Sequence, residues 1–220
     1  MQPEFWHARW RTGQIGFHQN AVDKFLEQYW PSLALPDGST VFVPLCGKTL
    51  DLVWLLDQGM SVAGVDLSAI AIESFCVEHG IPAQRRTFGQ IEVYETAKLK
   101  LFCADFFSLT SALLGPVAAV YDRAALISWA PELRAAYVQH VTSLTLPGTQ
   151  TLLITMEYPQ AQMNGPPFSV SGGDVASLYA PNHAIRELAR RDILAFEPRL
   201  RARGVTELTE VCYHLTRIGG

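Results

Sequence analysis

Thr40-Val41-Phe42-Val43-Pro44-Leu45-Cys46-Gly47-Lys48, followed after twelve intervening residues by Ser61-Val62-Ala63-Gly64-Val65-Asp66, decides the fold. The first run has no alternation of polar and apolar residues, the pattern of a strand buried on both faces of a sheet. Cys46-Gly47-Lys48 turns the chain, a helical pattern runs from Leu50 to Gln58, and Gly59 closes it. Ser61–Asp66 is a second buried strand. Ser68 follows as the N-cap of a helix running to about His79, where Gly80 stops it. Strand, helix, strand, helix is the repeat of an α/β fold: a mainly parallel sheet with helices on both faces.

The same grammar continues outward. Lys100–Cys103 reads as a third strand and Val117–Tyr121 as a fourth. A helix spans about Glu132 to Leu144, Gln150–Met156 is a fifth strand, and Asp174–Tyr179 is a short helix. Ile193–Phe196 and Glu210–Ile218 read as two late strands, the last alternating enough to run antiparallel. Upstream, the chain opens on aromatics: Phe5, Trp6, Trp10, Phe17, Phe25, Tyr29 and Trp30, with helical spacing between Ala21 and Trp30. No repeat or linker divides the chain, so one domain over residues 1–220 is expected.

Bulk properties bound the function. A net charge of −4 over 220 residues gives no electrostatic footprint for nucleic acid or an anionic membrane. No apolar stretch reaches the length of a membrane span, and the N-terminus lacks a signal-peptide pattern. Cys46, Cys76, Cys103 and Cys212 are scattered without metal-ligand spacing, as reduced, packed thiols would be. The expectation is a cytoplasmic protein, a monomer, with no metal and no nucleic-acid or membrane partner.

In such sheets the ligand lies beyond the carboxyl ends of the strands. The first strand ends in a turn with a single glycine, Gly47. That is short of the G-x-G-x-x-G needed to approach a pyrophosphate, which counts against NAD. The second ends in Asp66, 19 positions after Gly47, placed either to accept both hydroxyls of a ribose or to cap the next helix. The third ends in Asp105-Phe106-Phe107: an acid and an aromatic for an adenine, or a surface acid beside core phenylalanines. The fourth ends in Asp122-Arg123. The two side chains point to opposite sides if the strand persists, with Arg123 either clamping a carboxylate or anionic substrate or joining an internal ion pair. Four successive strand ends suited to one nucleoside without a pyrophosphate favour S-adenosyl-L-methionine.

Several blocks resemble the thiopurine S-methyltransferases, in family order and over nearly the whole chain. They are Phe5-Trp6 through Trp10 and Gly13, Gly16-Phe17-His18-Gln19, Val43 to Lys48, Tyr121 to Leu126, Gly165-Pro166-Pro167-Phe168 and Ala195-Phe196-Glu197. The resemblance implies a Rossmann-like class I methyltransferase with seven strands, the last antiparallel. It also implies methyl transfer to an aromatic or heterocyclic thiol such as 6-mercaptopurine, or to selenium or tellurium species by the same chemistry. Carried over by motif, Trp10, Leu45, Gly47, Asp66 and Arg123 contact the cofactor, with Asp105 and Phe106 near its adenine. Phe17 and Arg199 face the substrate, Arg123 and Arg199 serve the chemistry, and residues 1–30 form an aromatic lid. Many relatives carry Glu where this chain has Asp66, and the stretch from Ser169 to Pro181 fits the family pattern poorly. For Trp10 and Phe17, plain core packing is the competing reading.

Overall fold

The computed structural model describes residues 3–219, in two compact units, the first ending at Tyr121 and the second beginning at Asp122. In the first unit, α1 (Pro3–Arg11) and α2 (Lys24–Tyr29) precede β1 (Thr40–Pro44), α3 (Asp51–Asp57), β2 (Ser61–Asp66) and α4 (Ala69–Glu78). The hairpin β3 (Gln84–Phe88) and β4 (Ile91–Glu95) follows, then β5 (Leu99–Cys103), α5 (Ser111–Leu114) and β6 (Ala119–Arg123), whose last two residues belong to the second unit.

The strand order of the first unit is β3-β4-β5-β2-β1-β6. β1 pairs in parallel with β2 and β6, and β2 with β5, while β3, β4 and β5 pair antiparallel. The chain steps outward from β1 to β2 to β5 and then returns to the far side of β1. Strand order therefore reverses at β1, which is where a crevice opens in doubly wound sheets. The register matches Pro44 to Val65 and Asp66 to Cys103, so the strands end level with one another. The uninterrupted apolar character of β1 and β2 has the expected cause: Val41, Phe42 and Val65 are fully buried, as are Leu52 and Leu55 of α3 and Ile72 and Phe75 of α4. Ser68 caps α4 as its sequence indicates, accepting the Ala71 N–H.

The second unit holds α6 (Pro131–Leu144), β7 (Gln150–Glu157), α7 (Gly172–Tyr179), β8 (His183–Asp192), α8 (Pro198–Ala202) and β9 (Thr209–Arg217). β9 runs antiparallel between β7 and β8, in keeping with its alternation. A satellite core of Tyr158, Met163, Ile193, Leu200, Val205 and Leu208 lies beside these strands.

The α/β reading holds, with a central parallel group of β5, β2, β1 and β6. Two details differ. The described residues form nine strands rather than seven. The addition is the β3–β4 hairpin, whose outer strand Gln-Arg-Arg-Thr-Phe is exposed throughout and so carries no apolar signal. The late strand expected at Ile193–Phe196 is a 3-10 turn, Leu194–Phe196. The strand there is β8, an edge strand that is paired on one side only and carries Arg186, Glu187, Arg190, Arg191 and Asp192. Such charge suits an edge, where it discourages further pairing.

Candidate active site

The carboxyl ends of β1, β2 and β5 are assembled around one buried carboxylate. Asp66 is 8% exposed. Its Oδ2 accepts the Gly47 N–H at 2.8 Å and its Oδ1 accepts the Ser68 N–H at 2.9 Å. Burial pushes its pKa up to about 6, against the pull of these N–H groups and of nearby His7. One side chain thus ties the turn after β1 to the start of α4.

That turn is built under strain. Leu45 has φ 48° and Gly47 φ 52°, both in the left-handed region, with Cys46 between them held by its N–H to the Val65 carbonyl. For leucine this conformation costs about 1 kcal/mol, and strain of this kind concentrates at functional positions. At Gly47 a side chain would also be crowded: a Cβ there would lie 3.2 Å from the Trp10 indole. Below the turn, Cys46 Sγ fills the space that a Cβ on Gly64 would need, 2.8 Å away. The buried thiol is pushed up by burial and by the neighbouring Asp66 charge, so it stays neutral.

Aromatic rings from the N-terminal segment cover the turn. Trp10 is buried; Phe17 meets its edge at 5.6 Å and meets Trp6 at 5.5 Å between centroids. The indole N–H of Trp6 is buried without a hydrogen-bond partner. At the end of β5, Asp105 is exposed and accepts the Phe107 N–H at 2.8 Å, capping a 3-10 turn. Phe106 is buried and packs edge-on against the part-exposed Phe107.

In the second unit Asp122 and Arg123 diverge as the strand geometry requires. Asp122 is buried, accepting the Tyr137 hydroxyl at 2.7 Å and the Leu126 N–H at 3.1 Å, and burial lifts its pKa to about 6. Arg123 is half-buried and is followed by Ala124 at φ 61°, a second strained residue directly after a strand end. Arg199 is exposed on α8. Arg123 and Arg199, 76 positions apart, both act on Glu197: burial raises that carboxyl while the two cations hold it down. The Gly165–Phe168 loop folds on itself, with the Phe168 ring so close to Gly165 that no Cβ fits there. The Tyr158 hydroxyl donates to the Pro167 carbonyl at 2.7 Å, and buried Arg134 donates to the Ser169 carbonyl at the same distance.

A family model described as Thiopurine S-methyltransferase (TPMT) matches residues 1–218. The chain belongs to the thiopurine S-methyltransferase family. Relatives named Thiopurine S-methyltransferase include one from Nitrosospira multiformis, 43% identical over 215 residues and 98% of each chain. Another, from Shewanella loihica, is 45% identical over 217 residues, 99% of this chain and all of the relative. A solved S-adenosylmethionine-dependent methyltransferase from Thiobacillus denitrificans, in complex with S-adenosyl-L-homocysteine, shares the fold. It superposes with a TM-score of 0.65 at 15% identity over 96% of this chain and 97% of that one.

S-adenosyl-L-methionine is the cofactor of a thiopurine S-methyltransferase, and the residues at β2 fit it. The two Asp66 oxygens accept the Gly47 and Ser68 N–H groups, and a carboxylate has acceptor positions beyond these for the hydroxyls of a ribose. Of the two roles open in the sequence, capping of α4 falls to Ser68, and Asp66 accepts the N–H of that cap residue. Among the described residues no group of His, Cys, Asp and Glu is arranged to hold a metal ion. None of their helices is long and apolar enough to cross a membrane.

Three participants carried no readable sequence signal. His7 acts on Asp66 from α1, Tyr137 holds Asp122 from α6, and Asp51 binds Tyr121 across 70 positions. Each meets its partner only through folding.

Proposed function

We propose that this thiopurine S-methyltransferase methylates the sulfur of small aromatic or heterocyclic thiols such as 6-mercaptopurine. One observation carries the cofactor half of the reading: the buried Asp66 carboxylate, fixed at both oxygens and poised at the β2 end. When bound, S-adenosyl-L-methionine supplies a methyl group already activated on a sulfonium. Asp66 accepts the ribose hydroxyls, and the Leu45–Gly47 turn presents backbone to the cofactor with Trp10 against it. Asp105 and Phe106 line the adenine end.

Residues 1–30 act as a lid. The edge-to-face stack of Trp6, Phe17 and Trp10 excludes water, and its ring faces attract positive charge. Phe17 and Arg199 contact the substrate. A heterocyclic thiol loses its proton to solvent near neutral pH, and Arg123 and Arg199 stabilise the thiolate; its sulfur lone pair would take the methyl group as the methyl–sulfonium bond breaks and S-adenosyl-L-homocysteine leaves. Because the leaving group is good, positioning supplies much of the acceleration and no side-chain base is required. The chain works as one methyltransferase over residues 1–220, a cytoplasmic monomer with no nucleic-acid partner.

The test is methyl transfer from labelled S-adenosyl-L-methionine to 6-mercaptopurine, with calorimetric binding of S-adenosyl-L-homocysteine on the same sample. Turnover with binding supports the proposal. Binding without turnover refutes the acceptor, and folded protein that binds nothing refutes the site.

A further inference from the structure

Asp51 heads α3, directly after the cofactor turn, and is 1% exposed. Its Oδ1 accepts the backbone N–H of Asp23 at 2.9 Å and its Oδ2 accepts the Tyr121 hydroxyl at 2.9 Å. Its own N–H reaches back to Thr49 Oγ1 at 3.3 Å. Asp23 is equally enclosed, at 3% exposure, and caps α2 by accepting the Phe25 and Leu26 N–H groups through Oδ1. Tyr121, fully buried, ends the first unit on β6.

From this we propose that Asp51 is a positioning residue for the lid: it fixes the point where the N-terminal segment leaves the body of the first unit. The segment between α1 and Asp23 forms no helix or strand and carries Phe17 and His18. It is fixed at one end by Trp10 against Gly47 and at the other by the Asp23 N–H on Asp51. A buried carboxylate that accepts a backbone N–H from a segment without secondary structure specifies that segment's path. Hydrophobic packing alone leaves sliding open to it. Because Asp51 also begins the helix that follows the Leu45–Lys48 turn, one residue links the cofactor turn, through its backbone, to the base of the lid, through its side chain. The inference rests on the reading of residues 1–30 as a lid. Asp51 acts through that lid and touches no reactant.

The experiment compares wild type, Asp51→Ala, Asp51→Asn, Tyr121→Phe and Trp10→Ala as full chains. Three quantities are measured: trypsin cleavage at Arg9 and Arg11 with and without S-adenosyl-L-homocysteine, KM and kcat for methyl transfer, and the melting temperature. In Asp51→Ala the closed lid is expected to be populated about a tenth as often. KM for S-adenosyl-L-methionine should then rise about tenfold, with kcat within about twofold and cleavage correspondingly faster. Asparagine keeps an acceptor for the Asp23 N–H and offers an amide donor to the Tyr121 oxygen, so Asp51→Asn should restore most of the affinity. Should Asp51→Ala not fold, Tyr121→Phe takes its place. It keeps the ring and removes one hydrogen bond, and an intermediate rise in KM is expected.

A lower melting temperature with unchanged KM and unchanged cleavage would make Asp51 merely structural and overturn the proposal. The lid reading fails in a different pattern. The ligand would not slow cleavage of wild type, and Trp10→Ala would bind as tightly as wild type. That pattern overturns both readings, whereas a protected wild type with a normal Asp51→Ala overturns only this one.

Discussion

With Asp66 holding the ribose as proposed, lowering the pH through about 6 should release the cofactor. The carboxylate must be ionised to accept ribose hydroxyls while holding the Gly47 and Ser68 N–H groups. Its pKa, raised to about 6 by burial, sets the window. Below that value each pH unit should cost roughly tenfold in affinity for S-adenosyl-L-homocysteine, because binding then requires a proton to leave first. Asp66→Asn removes one acceptor and loses a charge-assisted bond. It should weaken binding by about 1–3 kcal/mol, roughly 5- to 150-fold, and flatten the pH dependence.

Stability moves the other way. The folded value lies above the unfolded one, so the folded state holds the proton more tightly, and Asp66's contribution is most favourable below about pH 4 and falls as pH rises to 6. That loss is about 3 kcal/mol in total. Asp66→Asn escapes it at neutral pH but strands one N–H at a cost of about 1–3 kcal/mol, so its melting temperature should stay near that of wild type. Weak binding in Asp66→Asn is therefore not attributable to unfolding. Calorimetric titrations from pH 5 to 8, with melting curves in the same buffers, measure both effects. Wild-type affinity that is flat across this range, or a pH slope retained in Asp66→Asn, would refute the assignment.

Gly64→Ala should destabilise the protein by about 1–3 kcal/mol by overpacking. The new methyl meets Cys46 Sγ at 2.8 Å and Leu101 Cδ2 at 2.9 Å, and denaturant unfolding should show Cys46→Ala in the same chain recovering part of the loss. Tyr137→Phe removes a 2.7 Å donor from buried Asp122 and should cost about 1–3 kcal/mol at pH 7.5. Since the lost bond favoured ionised Asp122, the deficit should shrink toward pH 5 as that carboxyl protonates. A deficit equal at both pH values speaks against the mechanism. Arg199→Ala, on an exposed α8 position, should lower thiol turnover more than it lowers cofactor affinity. Equal losses in steady-state kinetics and calorimetry would remove it from the substrate side.

Strands buried on both faces were legible because burial writes itself into composition. Thr40–Pro44 and Ser61–Asp66 show it as unbroken apolar runs, and glycines and Ser68 punctuate them. The sequence alone therefore determined the α/β class, the strand-end positions of Gly47, Asp66, Asp105 and Arg123, and through its motifs the family. It did not determine β3 or β8, because an exposed edge strand has no buried face to constrain its residues. Nor did it reveal that Asp66 holds the Gly47 turn, that a Trp10 ring rather than a side chain occupies the space over Gly47, or that Asp51 meets both Asp23 and Tyr121. Those are pairings across 19 to 70 positions, with no local period to announce them. Only the tertiary structure closes such distances, and burial, by removing water as the competing partner, makes each pairing obligatory.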